Sequence, residues 1–230
     1  MENFDLNYSL KKTKRKTLGI EVNHQGEVIV TAPDYIPQSK IDEVLAKRMK
    51  WIQEKVAEKK NNLNTQPKRN YVSGEALYLF GRQYYLKVIE TNYENVEIDH
   101  NRITFYIREG ESAKRVISEY LLNEFKAMIF HMADECLETF SKKYSISTKP
   151  KFKVRKMAKR WGSCTKDGII NLNPMLVAAS VECIEYVIFH ELTHLLHDDH
   201  DDEFFRTLKS VCPKFKELKE RLEKETVLFE

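Results

Sequence analysis

The stretch HELTHLLHDDH at 190–200 gathers four of the chain's seven histidines into eleven positions, and it limits how the surrounding chain can run. His190 and His194 are four apart, so on a helix their imidazoles project from one face, one turn apart. That separation suits two nitrogen ligands on one zinc ion at ~2.1 Å each. Glu191 is rotated about the axis from the first histidine, beside the water such an ion activates, which is where a general base belongs. Catalytic zinc takes three protein ligands plus water, and His200 is the best third. A helix continued to residue 200 would carry it roughly 15 Å along the axis from His190. The helix must therefore stop and the chain fold back near Asp198–Asp199, residues that tolerate turns and compete with helical hydrogen bonds. Asp201 or Asp202 can then cap a following helix, with Phe204 or Phe205 packing into the core.

Other assignments stay open at this point. His197 lies three residues after His194, as a competing ligand or as a neighbour near the turn. Glu217 or Glu220 on a final helix could reach back as an acidic ligand. One of Asp198, Asp199, Asp201 and Asp202 could orient a liganding imidazole through its second nitrogen.

The rest of the chain reads as an α+β protein with a soft boundary near residue 110. Over 1–110 the pattern is a β-rich module interrupted by one helix. Leu18, Ile20 and Val22 alternate, turn residues follow at His24–Gly26, and Val28 and Val30 resume the alternation, as in a hairpin. Ile41, Val44, Leu45, Met49, Ile52 and Val56 form the apolar stripe of a charged helix over Ser39–Lys60. EALYLFG, QYYLKVIE, ENVEID and RITFYI then read as strands. Over 111–230, a long helix runs to about Lys143, and KFKVRK and GIINLN are short strands flanking RWGSCTKDG, where Gly162 and Asp167–Gly168 have the look of turn residues. A helix starting near Ser180 carries the histidine pair, and helices over Glu203–Val211 and Pro213–Leu228 close the chain.

Four dispersed cysteines without a CxxC pair fit reduced, buried thiols rather than a disulfide framework. The basic start MENFDLNYSLKKTKRK has no apolar stretch behind it, and nowhere do eighteen apolar residues run together. The expectation is a soluble, cytoplasmic protein without a membrane partner. A net charge of +3 is too small to imply a nucleic-acid partner. The local runs KKTKRK at 11–16 and KFKVRKMAKR at 151–160 leave attraction to an acidic partner, nucleic acid included, as a weaker reading against solvated surface.

The segment RKMAKRWGSCTKDGIINLNPMLVAASVECIEYVIFHELTHLLHDDHDDEFF resembles the YgjP-like metal-dependent hydrolase family. The shared features are an Arg-Trp-Gly-Ser-Cys stretch (Arg160–Cys164), a strand running into Leu-Asn (Ile169–Asn173), HELxHL (His190–Leu195) and His-x-x-x-Phe (His200–Phe204). The likeness reaches the N-terminal half through RKTLGIEVNHQGEVIVTAPDYIPQSKIDEVLAKRMKWIQEK and ALYLFGRQYYLKV, so it spans nearly the whole chain. It implies a zincin-type catalytic domain, related to WLM and SprT-like metallopeptidases, with Zn2+ held by His190, His194 and His200 and with Glu191 as base. One departure is visible: Asp201, Asp202 and Glu203 stand where small residues or proline usually follow the third histidine, which implies a more acidic rim.

The function expected is that of a zinc metallopeptidase or related amide hydrolase acting on a peptide or protein. RWGSC either packs as structure or lines the cleft, where an extended peptide could add to it as a strand. Tyr186, one turn before His190, either packs in the core or polarises a carbonyl. Cys164 is not expected to be a nucleophile, since the histidines that could activate it are committed to metal. The rival readings are a binding module with structural zinc, a metal-dependent nuclease, and a peptidase acting on DNA-associated proteins.

Overall fold

In a computed structural model of the chain, residues 6–13, 17–22, 26–65, 70–146, 149–158 and 160–225 are described, with the backbone alone for 58–65 and 225. The expected turn residues His24 and Gln25, the basic residues 14–16, Lys159 and the end of the last helix beyond 225 lie outside them. The chain divides into two compact units, 1–67 and 68–230.

In the first unit, the expected hairpin forms from β2 (Gly19–Val22) and β3 (Val28–Pro33), antiparallel with Ile20 opposite Val30 and Val22 opposite Val28. Ahead of them, β1 (Tyr8–Thr13) pairs with β3 in parallel, in the order β1-β3-β2. Helix α1 (Gln38–Thr65) buries Ile41, Leu45 and Ile52 against Val28, Val30 and Ala32. In strand β1 the alternation of Tyr8 and Leu10 with Ser9 and Lys11 stops at Lys12, too short a run to mark a strand, and five of its six residues are exposed. Its lysines suit an edge strand that must not recruit further strands.

In the second unit, the four expected strands are β4 (Ala76–Leu79), β5 (Arg82–Thr91), β6 (Asn95–Asp99) and β7 (Arg102–Arg108), in the order β4-β5-β7-β6. Their buried faces, including Leu77, Leu86, Ile103 and Phe105, share one core with Ile117, Phe125 and Ile129 of α2 (Ala113–Ser141). The boundary expected near 110 is therefore a change of element rather than of unit. A half-buried sheet must be covered, and the helix that covers it begins just past the Gly110 turn, where φ is +80°.

A second sheet, in the order β8-β10-β9, is made by β8 (Lys151–Val154), β9 (Gly162–Cys164) and β10 (Ile169–Leu172). Gly162, expected in a turn, lies instead in β9 with Leu172 of β10 opposite, while Gly168 does take a turn conformation at φ +73°. A 3-10 helix (Pro174–Ala178) leads to α3 (Val181–Thr193), with Ser180 in the N-cap position but making no side-chain cap bond, and then to α4 (Asp202–Val211) and α5 (Phe215–Glu225). Among the described residues, no helix is long and apolar enough to cross a membrane.

The β4–β5 turn is fastened to the 3-10 helix just ahead of α3. Phe80 N–H donates to the Val177 carbonyl at 2.7 Å and Gly81 N–H to that of Ala178 at 3.2 Å. Gly81 has φ +78°, and a Cβ there would stand 2.7 Å from the Ser180 Cα. Gly81→Ala therefore meets both left-handed strain and backbone overlap. It should destabilise the fold by about 2 kcal/mol or more, lowering Tm by roughly 5 °C in a thermal melt.

Candidate metal centre

Helix α3 is apolar around most of its circumference, and burial of Ile184, Val187, Ile188 and Leu192 fixes its rotation. It ends at Thr193, and His194 is its C-cap, still with right-handed helical dihedrals. The His190 and His194 rings consequently stay on one side, 5.1 Å apart between centroids. The chain then bends through Asp198–Asp199. Asp201 restarts it: its carboxylate accepts from Phe204 N–H at 2.8 Å, capping α4. His200 is thereby brought back, with its ring 4.9 Å from that of His190 and 4.7 Å from that of His194.

Phe204 is the floor of this cluster. It is fully buried, and its ring centroid lies 5.0, 4.8 and 4.6 Å from those of His190, His194 and His200. Phe205, the alternative core residue, is 40% exposed. The sequence offers either Phe204 or Phe205 as core filling. That it underlies all three histidines follows only from the fold-back.

One nitrogen of each of the three histidines falls within 4.8 Å of the other two, and among the described residues no other group of this kind forms. The His190 and His200 Nε2 atoms are 3.0 Å apart. Two nitrogens held at ~2.1 Å on one tetrahedral ion stand ~3.4 Å apart, so the pair fits after an adjustment of a few tenths of an ångström. The His194 Nδ1–H donates to the His197 carbonyl at 3.0 Å, which fixes the tautomer and leaves Nε2 as an acceptor. For His194 the orienting group is thus a backbone carbonyl, not one of the aspartates. The His197 ring turns away to Thr207 Oγ1 at 3.0 Å and stays outside the group. Glu217 and Glu220 do not join it either.

Burial, reinforced by the charges of the other two histidines, pushes His190 down to about 3. His200 is lowered by burial, then by His194 and Lys219. Imidazoles that stay neutral keep the lone pair a cation needs. His190 Nδ1 is buried without a hydrogen-bond partner among the described residues, an arrangement that burial alone disfavours.

Glu191 is 5% exposed and next to the group but not in it. Burial pushes its carboxyl up to about 8, opposed by the charge of Arg160 and a hydrogen bond from the Cys164 backbone. Tyr186 is buried, with its ring 6.0 Å from His190, and is pushed up to about 12 by burial and by Glu223. It is a neutral phenol able to donate. Burial and Glu191 likewise push the Cys164 thiol up to about 11, which agrees with its exclusion as a nucleophile.

These groups border a cavity of about 760 Å³. Its lining comes from residues 160–166, from α3 and the residues that follow it, and from Lys219, Leu222 and Glu223 of α5. The α5 residues carried no local signal, since Lys219 and Glu223 look like any solvated i,i+4 pair. Asp201, Asp202 and Glu203, expected to make the rim more acidic, do not line the cavity: Asp201 is spent on the cap and Glu203 faces Arg206 at 3.6 Å. The charged side chains that do line it are balanced, Glu191, Asp198 and Glu223 beside Arg160, Lys166 and Lys219. Asn173, 3% exposed, pins the approach to β9, donating from Nδ2 to the Met157 and Arg160 carbonyls at 2.8 and 2.9 Å.

Residues 16–225 match the family model described as YgjP-like, metallopeptidase domain. Two solved structures are similar. One is the metallopeptidase zymogen of Pyrococcus abyssi abylysin, at 22% identity and TM-score 0.38, covering 43% of this chain and 94% of that one. The other is the metallopeptidase zymogen of Methanocaldococcus jannaschii jannalysin, at 20% identity and TM-score 0.37, covering 43% and 96%. No curated protein matches the sequence.

Removing the floor of the cluster tests the packing. Phe204→Ala empties a fully buried aromatic site. It should destabilise the protein by about 3–5 kcal/mol in denaturant titration.

Proposed function

The chain belongs to the YgjP-like metallopeptidase family, and on that premise we propose that it is a zinc-dependent, zincin-like peptidase in which His190, His194 and His200 hold the ion and Glu191 is the general base. The observation that carries this reading is the convergence of three imidazole nitrogens within 4.8 Å beside a buried carboxyl that is not one of them. A structural site closes with a fourth protein ligand, whereas a catalytic one leaves a position open. No fourth protein ligand stands with the three among the described residues, which favours catalysis over the structural-zinc reading.

The ion, when bound, supplies Lewis-acid polarisation of a carbonyl, acidifies a water and, as a nearby positive charge, favours the ionised form of Glu191. The Glu191 carboxylate takes the proton of the attacking water and delivers it to the leaving amine nitrogen. The neutral Tyr186 hydroxyl, on the same cavity, is a hydrogen-bond donor for the carbonyl oxygen as it gains charge. Strand β9 pairs with β10 on one side, and its other edge has no strand partner among the described residues. An extended peptide adding there would be held by backbone hydrogen bonds along the cavity wall.

Metal analysis beside peptide hydrolysis tests the assignment. Glu191→Gln should keep one zinc per chain while hydrolysis falls by at least about 10³-fold. Normal turnover by that variant would sink the mechanism. His200→Ala should lose zinc and activity together. His197→Ala should retain zinc, because the group His194 leans on is the backbone carbonyl of residue 197, which the substitution keeps. Chelation should abolish activity, and added zinc should restore it.

A further inference from the structure

Gly162 is a glycine for want of space rather than for its dihedral angles. Its φ lies outside the left-handed region, so an L residue could adopt its backbone. A Cβ at this position would stand 2.5 Å from Oε1, 2.7 Å from Cγ and 2.8 Å from Cδ of Glu191, and these are its three nearest heavy atoms. Gly81 differs, because its obstacle is the Ser180 backbone. At Gly162 the obstacle is one side chain.

The neighbours of Gly162 converge on the same carboxyl. Cys164, two residues on, gives it a backbone hydrogen bond, and the positive charge of Arg160, two residues earlier, acts on it. The segment is itself held in place. Asn173 donates to the Arg160 carbonyl at 2.9 Å, and its own N–H donates to the Trp161 carbonyl at 2.8 Å. Ser163 stands opposite Asn171 in the strand register, with Asn171 Nδ2 donating to Ser163 Oγ at 3.2 Å.

We propose that Arg160–Cys164 is the seat of Glu191, in which the bare backbone at Gly162 sets how far the carboxylate projects and makes Gly162 a positioning residue for the base. The catalytic half of this proposal rests on the reading of Glu191 as base. The contact does not. A seat of this kind also gives the RWGSC stretch one purpose. The strand that holds the base has its free edge where a peptide would add, so base and substrate are located by the same three residues. A general base works only when its oxygen lies within hydrogen-bond reach of the proton it takes, and displacements near 1 Å cost on the order of 10²-fold in rate.

The experiment is a set of double-mutant cycles. Gly162→Ala is made in the wild-type, Glu191→Ala and Glu191→Asp backgrounds, and each chain is assayed for zinc content, Tm and peptide hydrolysis. In the wild type, Gly162→Ala should lower Tm by several degrees. In Glu191→Ala, where the obstructing atoms are gone, the loss should shrink to about a third or less. An equal loss in both backgrounds overturns the seat. If Gly162→Ala alone fails to fold while the Glu191→Ala double variant folds, the seat is upheld.

For catalysis, Gly162→Ala should keep one zinc per chain and a KM within about twofold, with kcat lowered about 10²-fold. Glu191→Asp withdraws the carboxylate by one methylene and makes room for the new Cβ. It should raise kcat about tenfold over Gly162→Ala alone, although by itself it impairs the enzyme. Wild-type kcat in Gly162→Ala, loss of its zinc, or absence of that rescue overturns the positioning role. Should the wild type hydrolyse no peptide, the reading of Glu191 as base falls, and the stability cycle still upholds or overturns the seat.

Discussion

Everything at the candidate metal centre depends on bringing residue 200 back over residues 190 and 194. No single helix can do this, because a helix separates its residues along the axis faster than an imidazole can reach. The solution is a stop and a restart, with α3 ending at Thr193, a bend at Asp198–Asp199, and α4 nucleated by the Asp201 cap. The Phe204 ring makes the arrangement specific. It sits beneath all three imidazoles and is fully buried in the main core. The geometry of the histidine group is thereby tied to the stability of the unit, rather than left to an exposed loop whose alternatives lie within thermal reach.

The second theme is the removal of ionisable groups from water. Glu191 and His190 are both displaced strongly towards their neutral forms, and burial is the leading cause in each. For an imidazole the neutral form is the liganding form, so burial works in favour of metal binding. For the carboxyl the effect is opposite in consequence, since burial raises a group that must be ionised to accept a proton. Arg160 and the Cys164 backbone oppose that shift, and both come from the strand segment that leaves room for the carboxyl at Gly162. The cavity is thus built from a helix that supplies the reactive groups and a strand segment that conditions one of them.

Much of this is legible in the chain because it is local. The hairpin in unit 1, the α1 stripe, the strands β4–β7 and the start of α3 near Ser180 follow from alternation, 3.6-residue periodicity and, for α3, the charge of Glu182 in its first turn. The fold-back after His194 is legible too, since the aspartates mark the bend and the cap. Three features are not. Strand β1 alternates apolar and polar residues only as far as Leu10 before Lys11, Lys12 and Thr13, and it forms through backbone pairing to β3, so its side chains carry little period. The unit division after residue 67 rests on which surfaces share a core, whereas the change of pattern near 110 marks only a sheet handing over to the helix that covers it. Gly162 reads as a turn residue because glycine usually signals backbone freedom. Here it signals the nearness of a side chain twenty-nine positions away.

The sequence by itself determined the candidate liganding face, because His190, Glu191 and His194 are related by helical geometry and His200 by a turn that its own neighbours encode. Tertiary structure decided what surrounds that face. It selected Phe204 over Phe205 as the buried ring, gave the orienting contact on His194 to the carbonyl of His197 rather than to an aspartate, brought α5 to the lining of the cavity, and set β9 against Glu191. The physical reason is range. Periodicity and capping act over one or two helical turns, whereas packing and desolvation depend on which distant segments come to share the same space.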